Sequence, residues 1–356
     1  MLLNPHHSHI STTTMDTKMC RVLGLAIAVL FLSTSLASAA CNKDDLKALL
    51  SFNSSFPPRT LYNWIDTEDC CSWDGIYCDD GTGRVTSLLF SNDDFNDFDP
   101  IDLVGRMPPS VGDLSELVDI RFSTLPNLVG PLPRQLSKLK KLKTINIYNT
   151  NLSGPIPSFL SQLPALERLD MSASLFTGSI PPSLGSLAKL RYVDLSRNGL
   201  TGSVPPSLFS RLDRSALATL NLRQNKLAGA VPRSFASVAF GGIDLHENRL
   251  TGDARFLFGK SKPATSIDLA QNKLSFDLTD VEYPVGNLDY LDVSHNEIHG
   301  SISEQIKEAT KLTYLDMSYN MLCGRIPSGG SFGNISSRDF SHNKCLCGTP
   351  LPPCKN

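Results

Sequence analysis

Between Cys78 and Cys323 the chain has no cysteine, so no disulfide cross-links its long middle. Beyond Ala40 no apolar run approaches the ~20 residues that span a bilayer, which excludes a later membrane helix and leaves no room for a cytoplasmic kinase. Charge is scarce: 19% of the 356 residues are charged and the formal net charge is −2. With no basic excess, basic run or stacking platform, nucleic acid is not an expected partner. Catalytic motifs are missing too. His246-Glu247-Asn248-Arg249-Leu250 starts like the H-E-x-x-H zinc motif, but Leu250 stands where the second His is required. Gly259-Lys260-Ser261 is similar to the end of a phosphate loop without the earlier glycine that such a loop needs. Asp292 and His295 are near in sequence, with no serine or cysteine arranged as their nucleophile. No enzyme, cofactor or metal is therefore expected.

What the chain does have is a repeat of about 24 residues. The cleanest copy reads Leu190, Val193, Leu195, Asn198, Leu200, Gly202, Val204, Pro205. The same frame starts at Leu142, Leu166, Leu190, Leu217, Phe240, Ala264, Leu288 and Leu312, at spacings of 24, 24, 27, 23, 24, 24 and 24. Looser copies start at Val85 and Leu117. This period and pattern predict an α/β repeat solenoid, a right-handed leucine-rich repeat superhelix of about ten repeats, with a parallel concave β-sheet and disulfide-bonded end caps. One repeat cannot bury its own apolar face, so neighbours must stack.

Alternation along a strand sends Val193 and Leu195 inward and Tyr192, Asp194 and Ser196 onto the concave face. Asn198 opens the turn, where a buried amide can satisfy the backbone of adjacent coils. Asn225, Asn248, Asn272, Asn296 and Asn320 continue that ladder, while Thr150 and Ser174 replace the amide and weaken its early part. The following Leu-x-Gly-x-Ile-Pro, as in Leu152, Gly154, Ile156, Pro157, predicts a tight bend at Gly and an end to strand pairing at Pro. Leu160 with Leu163 and Leu184 with Leu187 are expected to fill the convex side.

The organisation expected is an export signal with an N-terminal extension over 1–40, an N-terminal cysteine cap over 41–84, repeats over 85–330 and a C-terminal cysteine cap over 331–356. Lys18 and Arg21 flank the apolar stretch Val22 to Leu32, and small residues from Ala37 to Ala40 suit cleavage. Met15 is a second candidate start. Cys20 lies in the signal. The other cysteines cluster at the ends: Cys41, Cys70, Cys71 and Cys78, then Cys323, Cys345, Cys347 and Cys354. In an exported solenoid these suggest disulfides, with sequential pairing expected; a metal site is the alternative, disfavoured by the C-x-C spacing. Asn53, Asn151 and Asn334 are glycosylation sequons. From Asn42 as N-cap, Asp45, Leu46, Ala48, Leu49, Leu50 and Phe52 predict a short amphipathic helix, with Asp44 and Asp45 favourable in its first turn. Trp64 and Trp73 are expected to pack in this lid.

The L-x-G-x-I-P half-motif and the lid Cys70-Cys71-Ser72-Trp73-Asp74-Gly75-Ile76-Tyr77-Cys78 resemble those of plant extracellular leucine-rich repeat proteins. Departures from the repeat are more specific: Leu250 to Lys260, Leu274-Ser275-Phe276-Asp277-Leu278, Val281-Glu282-Tyr283-Pro284, and the ending Asn343 to Cys354. These resemble the plant polygalacturonase-inhibiting proteins, over essentially Cys41 to Cys354. The resemblance implies a secreted apoplastic, cell-wall protein that binds microbial, chiefly fungal, endopolygalacturonases through its concave face in plant defence. Cell-wall pectin is a second candidate partner, and a monomer is expected. The alternative is a soluble receptor-like protein that binds a peptide or co-receptor in development or immunity. The acidic run from Ser91 to Pro100 is longer than the family usually has, and a solvated loop is expected there.

The central outward column should be Arg121, Asn146, Asp170, Asp194, Asn221, Asp244, Asp268, Asp292 and Asp316, a largely acidic stripe that favours a basic partner. Strands ~4.8 Å apart put like charges in repulsion of roughly 1 kcal/mol in water. Specificity is expected in the flanking columns, at Lys143, Thr144, Tyr148, Arg168, Tyr192, Arg197, Thr219, Arg223, Gln224, His246, Glu247, Gln271, Tyr290, His295, Tyr314 and Tyr319, since Tyr and Arg are frequent interface anchors. His246 and His295 would lend sensitivity to wall acidity.

Overall fold

The computed structural model describes residues 39–58, 60–92, 101–329 and 335–355. The expected export signal, save its last two residues, most of the acidic run and Asn334 lie outside the described residues. Residues 40–356 form one compact unit. Its concave sheet passes in chain order through Val85–Ser91, Asp119–Gly130, Thr144–Pro155, Arg168–Asp170, Tyr192–Asp194, Ala218–Asn221, Phe240–Asp244, Ser266–Asp268, Tyr290–Asp292 and Tyr314–Asp316. Every step along that path is parallel. Ile76–Cys78 adds an antiparallel edge. This is the leucine-rich repeat solenoid that the period predicts.

The inward positions explain why the coils stack. Leu169, Val193, Leu220, Ile243, Ile267, Leu291 and Leu315 are all buried in one continuous core. Leu160 and Leu184, in the short 3-10 turns Ser158–Gln162 and Pro182–Ser186, seal its opposite side with Leu163 and Leu187. A leucine gains about 1.5–3 kcal/mol on full burial, and here that gain requires the next coil.

The turn amides do the work foreseen for them. Asn198 Oδ1 accepts the Phe176 N–H at 2.9 Å, and its Nδ2 donates to the carbonyls of Met171, Leu195 and Ser196 at 2.8, 3.2 and 3.0 Å. The ladder runs one step further than the sequence pattern suggested. Asn343, in the C-terminal cap, accepts from Leu322 N–H and donates to Met317 and Phe340 carbonyls. Thr150 and Ser174 substitute a hydroxyl pair, Oγ1 to Oγ at 3.0 Å.

The half-motif behaves as expected, with strand Thr144–Pro155 ending before Pro157 and Leu175–Gly178 before Pro181. Gly154 and Gly178 make the bend, with φ of +92° and +76°. The extended residues before the bend keep pairing. Leu175–Gly178 and Gly199–Leu200 continue from the Thr144–Pro155 strand. Ala228–Ala230, Arg249–Gly252 and Lys273–Leu274 form a second small sheet. His299–Gly300, Met321–Arg325 and Cys345–Cys347 form a third. Once the Asn turn redirects the chain, each short extended piece meets its counterpart in the next coil, and backbone groups there pair rather than remain unsatisfied.

The N-terminal lid is helix α1, Lys43–Asn53, with Asn42 Oδ1 accepting the Asp44 N–H at 2.9 Å. Trp64 and Trp73 are buried in it and stack at 5.1 Å. Asp45 is more than a helix-dipole residue. It is fully buried, accepts from Arg84 Nε at 2.8 Å and from the Val85 N–H at 2.8 Å, and so ties the lid to the first coil. Disulfides join Cys41 to Cys70, Cys71 to Cys78, Cys323 to Cys345 and Cys347 to Cys354. All eight cap cysteines are thus paired in the sequential order expected.

Candidate functional site

Strand register sets the concave face. Arg121, Asn146, Asp170, Asp194, Asn221, Asp244, Asp268, Asp292 and Asp316 pair step by step across adjacent strands. Asp194, Asp244 and Asp292 therefore stand in one row. Two residues earlier runs a second row: Thr144, Arg168, Tyr192, Thr219, Gly242, Ser266, Tyr290 and Tyr314. Two residues later come Tyr148, Ser172, Ser196, Arg223, His246, Ala270, Ser294 and Ser318.

The aspartates are not freely solvated, which corrects the picture of an open acidic stripe. Asp194 is 9% exposed, Asp292 7% and Ser196 5%. Each carboxylate spends one oxygen on the chain that leaves its strand. Oδ1 of Asp170, Asp194, Asp244, Asp268, Asp292 and Asp316 accepts the N–H two residues on, at 2.8–3.0 Å. Asn221 does the same with Arg223 N–H. This turn geometry explains why a short acidic or amide side chain recurs there.

The second oxygen carries the charge that a partner would meet. Asp194 Oδ2 accepts from Asn221 Nδ2 at 2.9 Å. Asp268 Oδ2 accepts from the Tyr290 hydroxyl at 3.3 Å, and Asp292 Oδ2 from that of Tyr314 at 3.5 Å. Burial raises the affinity of Asp170, Asp244, Asp268 and Asp292 for protons. It pushes Asp170, Asp244 and Asp292 above the ordinary range, and Asp268, which also lies between the charges of Asp244 and Asp292, up to about 6. Burial and the neighbouring Asp292 push Tyr314 up to about 12.

The flanking residues fall into distinct groups. Arg168 lies over the Tyr192 ring at 3.9 Å. Tyr290 and Tyr314 stack at 4.4 Å with their ring planes nearly parallel. Tyr148 is exposed, and Thr219 is half-buried. His246 Nδ1 sits 3.6 Å from Asp268 Oδ1. Arg197, Gln224, Gln271 and His295 belong to a separate row on the turn, just before each ladder Asn. All four have left-handed backbone, φ 52–53°, as do Glu247, Tyr319 and His342 in that row. There Gln224 Nε2 donates to Glu247 Oε2 at 2.9 Å, and His295, Tyr319 and His342 stack at 4.1 and 4.0 Å. His342, in the C-terminal cap, was absent from the residues singled out by sequence, while Tyr314 and Tyr319 were among them. Their signal was the strict 24-residue step from Tyr290 to Tyr314 and from His295 to Tyr319.

Comparison with known proteins adds identity to this geometry. A leucine-rich repeat N-terminal domain matches residues 42–79, and leucine-rich repeats match 141–163, 165–187, 189–211, 287–308 and 311–332. Polygalacturonase inhibitor 2 of Arabidopsis thaliana is 44% identical over 346 residues, 96% of this chain and 100% of that protein. The chain belongs to the plant polygalacturonase-inhibitor family of leucine-rich repeat proteins. The family's polygalacturonase inhibitor from Pyrus communis is 42% identical, over 96% of this chain and 100% of its own length. A solved plant ice-binding protein is 39% identical with TM-score 0.81, covering 89% of this chain and 99% of that one. The scaffold is thus shared by inhibitors and an ice-binding protein, and function has to be read from the face. Among the described residues no helix is long and apolar enough to cross a membrane.

Proposed function

We propose that this protein binds microbial endopolygalacturonases and inhibits them by laying its concave face over the substrate cleft. The observation that carries this reading is the register-locked row of carboxylates, rimmed by Arg168, Tyr192, Tyr290 and Tyr314, on a chain of this family. An enzyme that grips polygalacturonate needs a cationic cleft, and an acidic row is complementary to it. Tyrosine and arginine at the rim supply the rigid anchors typical of protein interfaces. A standard interface buries ~1,600 Å² in total, a size that suits a concave sheet of this extent.

Secretion to the cell wall, a monomeric state and glycans at Asn53, Asn151 and Asn334 belong to the same reading. Asn151 is exposed at the solenoid's flank, where its Nδ2 donates to the Pro126 carbonyl at 2.7 Å, and Asn53 ends helix α1 half-buried. The test is reducing-sugar release by a panel of fungal endopolygalacturonases with and without the protein. Inhibition of at least one supports the reading. Inhibition of none, with no binding detected, replaces it with the receptor-like alternative.

A further inference from the structure

The cap disulfides leave the middle of the solenoid without a covalent tie, since no cysteine stands between Cys78 and Cys323. Just inside the C-terminal cap, two side chains are placed to make one. Tyr290 and Tyr314 occupy the same position of adjacent parallel strands. Their ring centroids lie 4.4 Å apart, with planes 5° from parallel. Tyr314 is 42% exposed and Tyr290 is half-buried, so an oxidant in solvent can reach the pair.

Other tyrosines are placed differently. Tyr192 lies under the Arg168 guanidinium, Tyr319 is held between His295 and His342, and Tyr283 is fully buried beside Phe258. Tyr290 and Tyr314 are further marked by the carboxylate at each hydroxyl. Asp268 Oδ2 stands 3.3 Å from the Tyr290 hydroxyl oxygen, and Asp292 Oδ2 3.5 Å from that of Tyr314. A phenol gives up an electron more readily when a positioned base takes its proton in the same event. Two phenols in contact, each with its own proton acceptor, form a reactive pair.

We propose that Tyr290 and Tyr314 are an oxidative coupling site, joined to one another by hydrogen peroxide and a one-electron phenol oxidant of the haem peroxidase class. Each phenol yields one electron to the oxidant and its hydroxyl proton to the facing carboxylate, which passes it to water. The two phenoxyl radicals combine in one carbon–carbon bond between ring positions ortho to the oxygens. The hydrogen on each of those carbons then moves as a proton to the oxygen of its own ring, which restores both phenols. Hydrogen peroxide takes up the two electrons and two protons and becomes two waters. Stacking supplies proximity, because the second radical meets the first within one molecule and coupling outruns encounters between molecules. The disulfides of both caps belong to an oxidising compartment, which is compatible with such an oxidant. The product ties the last two concave strands together and extends the bracing of the Cys323–Cys345 cap inward.

The test treats the full chain, dilute and at neutral pH, with a haem peroxidase and limiting hydrogen peroxide. After reduction and tryptic digestion, peptides 274–307 and 312–325 should appear as one species, lighter than their sum by two hydrogens and carrying the blue fluorescence of a biphenol. Oxygen gained at methionine does not mimic this loss. Tyr314→Phe should remove the species, whereas Tyr319→Phe, in the same peptide, should leave its yield unchanged. The intramolecular product should exceed covalent dimers by about 10-fold. The coupled protein should also unfold at a higher temperature, a shift absent from treated Tyr314→Phe. Dimers through other tyrosines without the linked species overturn the site. So does the same species in Tyr314→Phe, or a treated chain in which both peptides stay unlinked.

Discussion

The early coils and the later ones turn the same corner by different means. Asp119–Gly130 and Thr144–Pro155 are 12-residue strands that run through the turn, with Leu125 pairing Thr150 beyond it. From Arg168 onward the concave strands shorten to 3–5 residues, and an asparagine takes over at the turn from Asn198. Where an amide is present, it answers the backbone groups exposed by the turn, and the strand can stop. Where Leu125 and Thr150 stand instead, no amide answers those groups, and the backbone goes on pairing with its neighbours, whereas Ser174, beyond the short strand Arg168–Asp170, already takes the Thr150 N–H and the Ser172 carbonyl with its hydroxyl. At Leu125 and Thr150 the turn is thus satisfied by backbone, from Ser174 onward by side chains, and the strands are long in the first case and short in the second.

That contrast can be broken at several points. The largest effect is expected at the N-terminal anchor of the early coils. Asp45→Ala would leave the Arg84 guanidinium and the Val85 N–H without their buried carboxylate, costing about 3–5 kcal/mol in urea unfolding. An unchanged midpoint would mean that the lid does not brace the first coil. In the later coils Asn248→Ala would strip partners from the Leu227 N–H and the Leu222, Leu245 and His246 carbonyls. A loss of about 3 kcal/mol is expected. Thr150→Ala, the matched change in the early coils, should cost only about 1 kcal/mol, because the strand already satisfies the turn. Equal losses at 150 and 248 would erase the distinction.

The smallest effect concerns pH. Asp268 holds its proton up to about 6, above the unfolded value near 4. Between those values the folded state binds more protons than the unfolded one, so stability falls as pH rises through this window. The thermal midpoint should therefore decline between pH 4 and 6 by an amount that Asp268→Asn reduces. A midpoint shift of the same size in that variant would assign the dependence to other groups. The expected acid response, placed on His246 and His295 from sequence, is thereby joined by a carboxylate that sequence had treated as a permanent charge.

Repetition made much of this protein legible in advance. A period of about 24 residues fixed the coil, alternation fixed which face each residue takes, and the register then aligned Asp170 through Asp316 without further information. Residues that act within one coil or between equivalent positions of neighbours, such as Asn198, could be placed because each copy repeats the same local problem. Proximity between non-equivalent positions could not be foreseen. The sequence does not say that Asp45 meets Arg84, that turn aspartates lose much of their solvent, or that the extended pieces before Gly154 and Gly178 find partners in the next coil. Those outcomes depend on how closely successive coils approach and how much water they exclude. Periodicity states the order of the coils, and only their packing in three dimensions decides the spacing, burial and charge of the face they present.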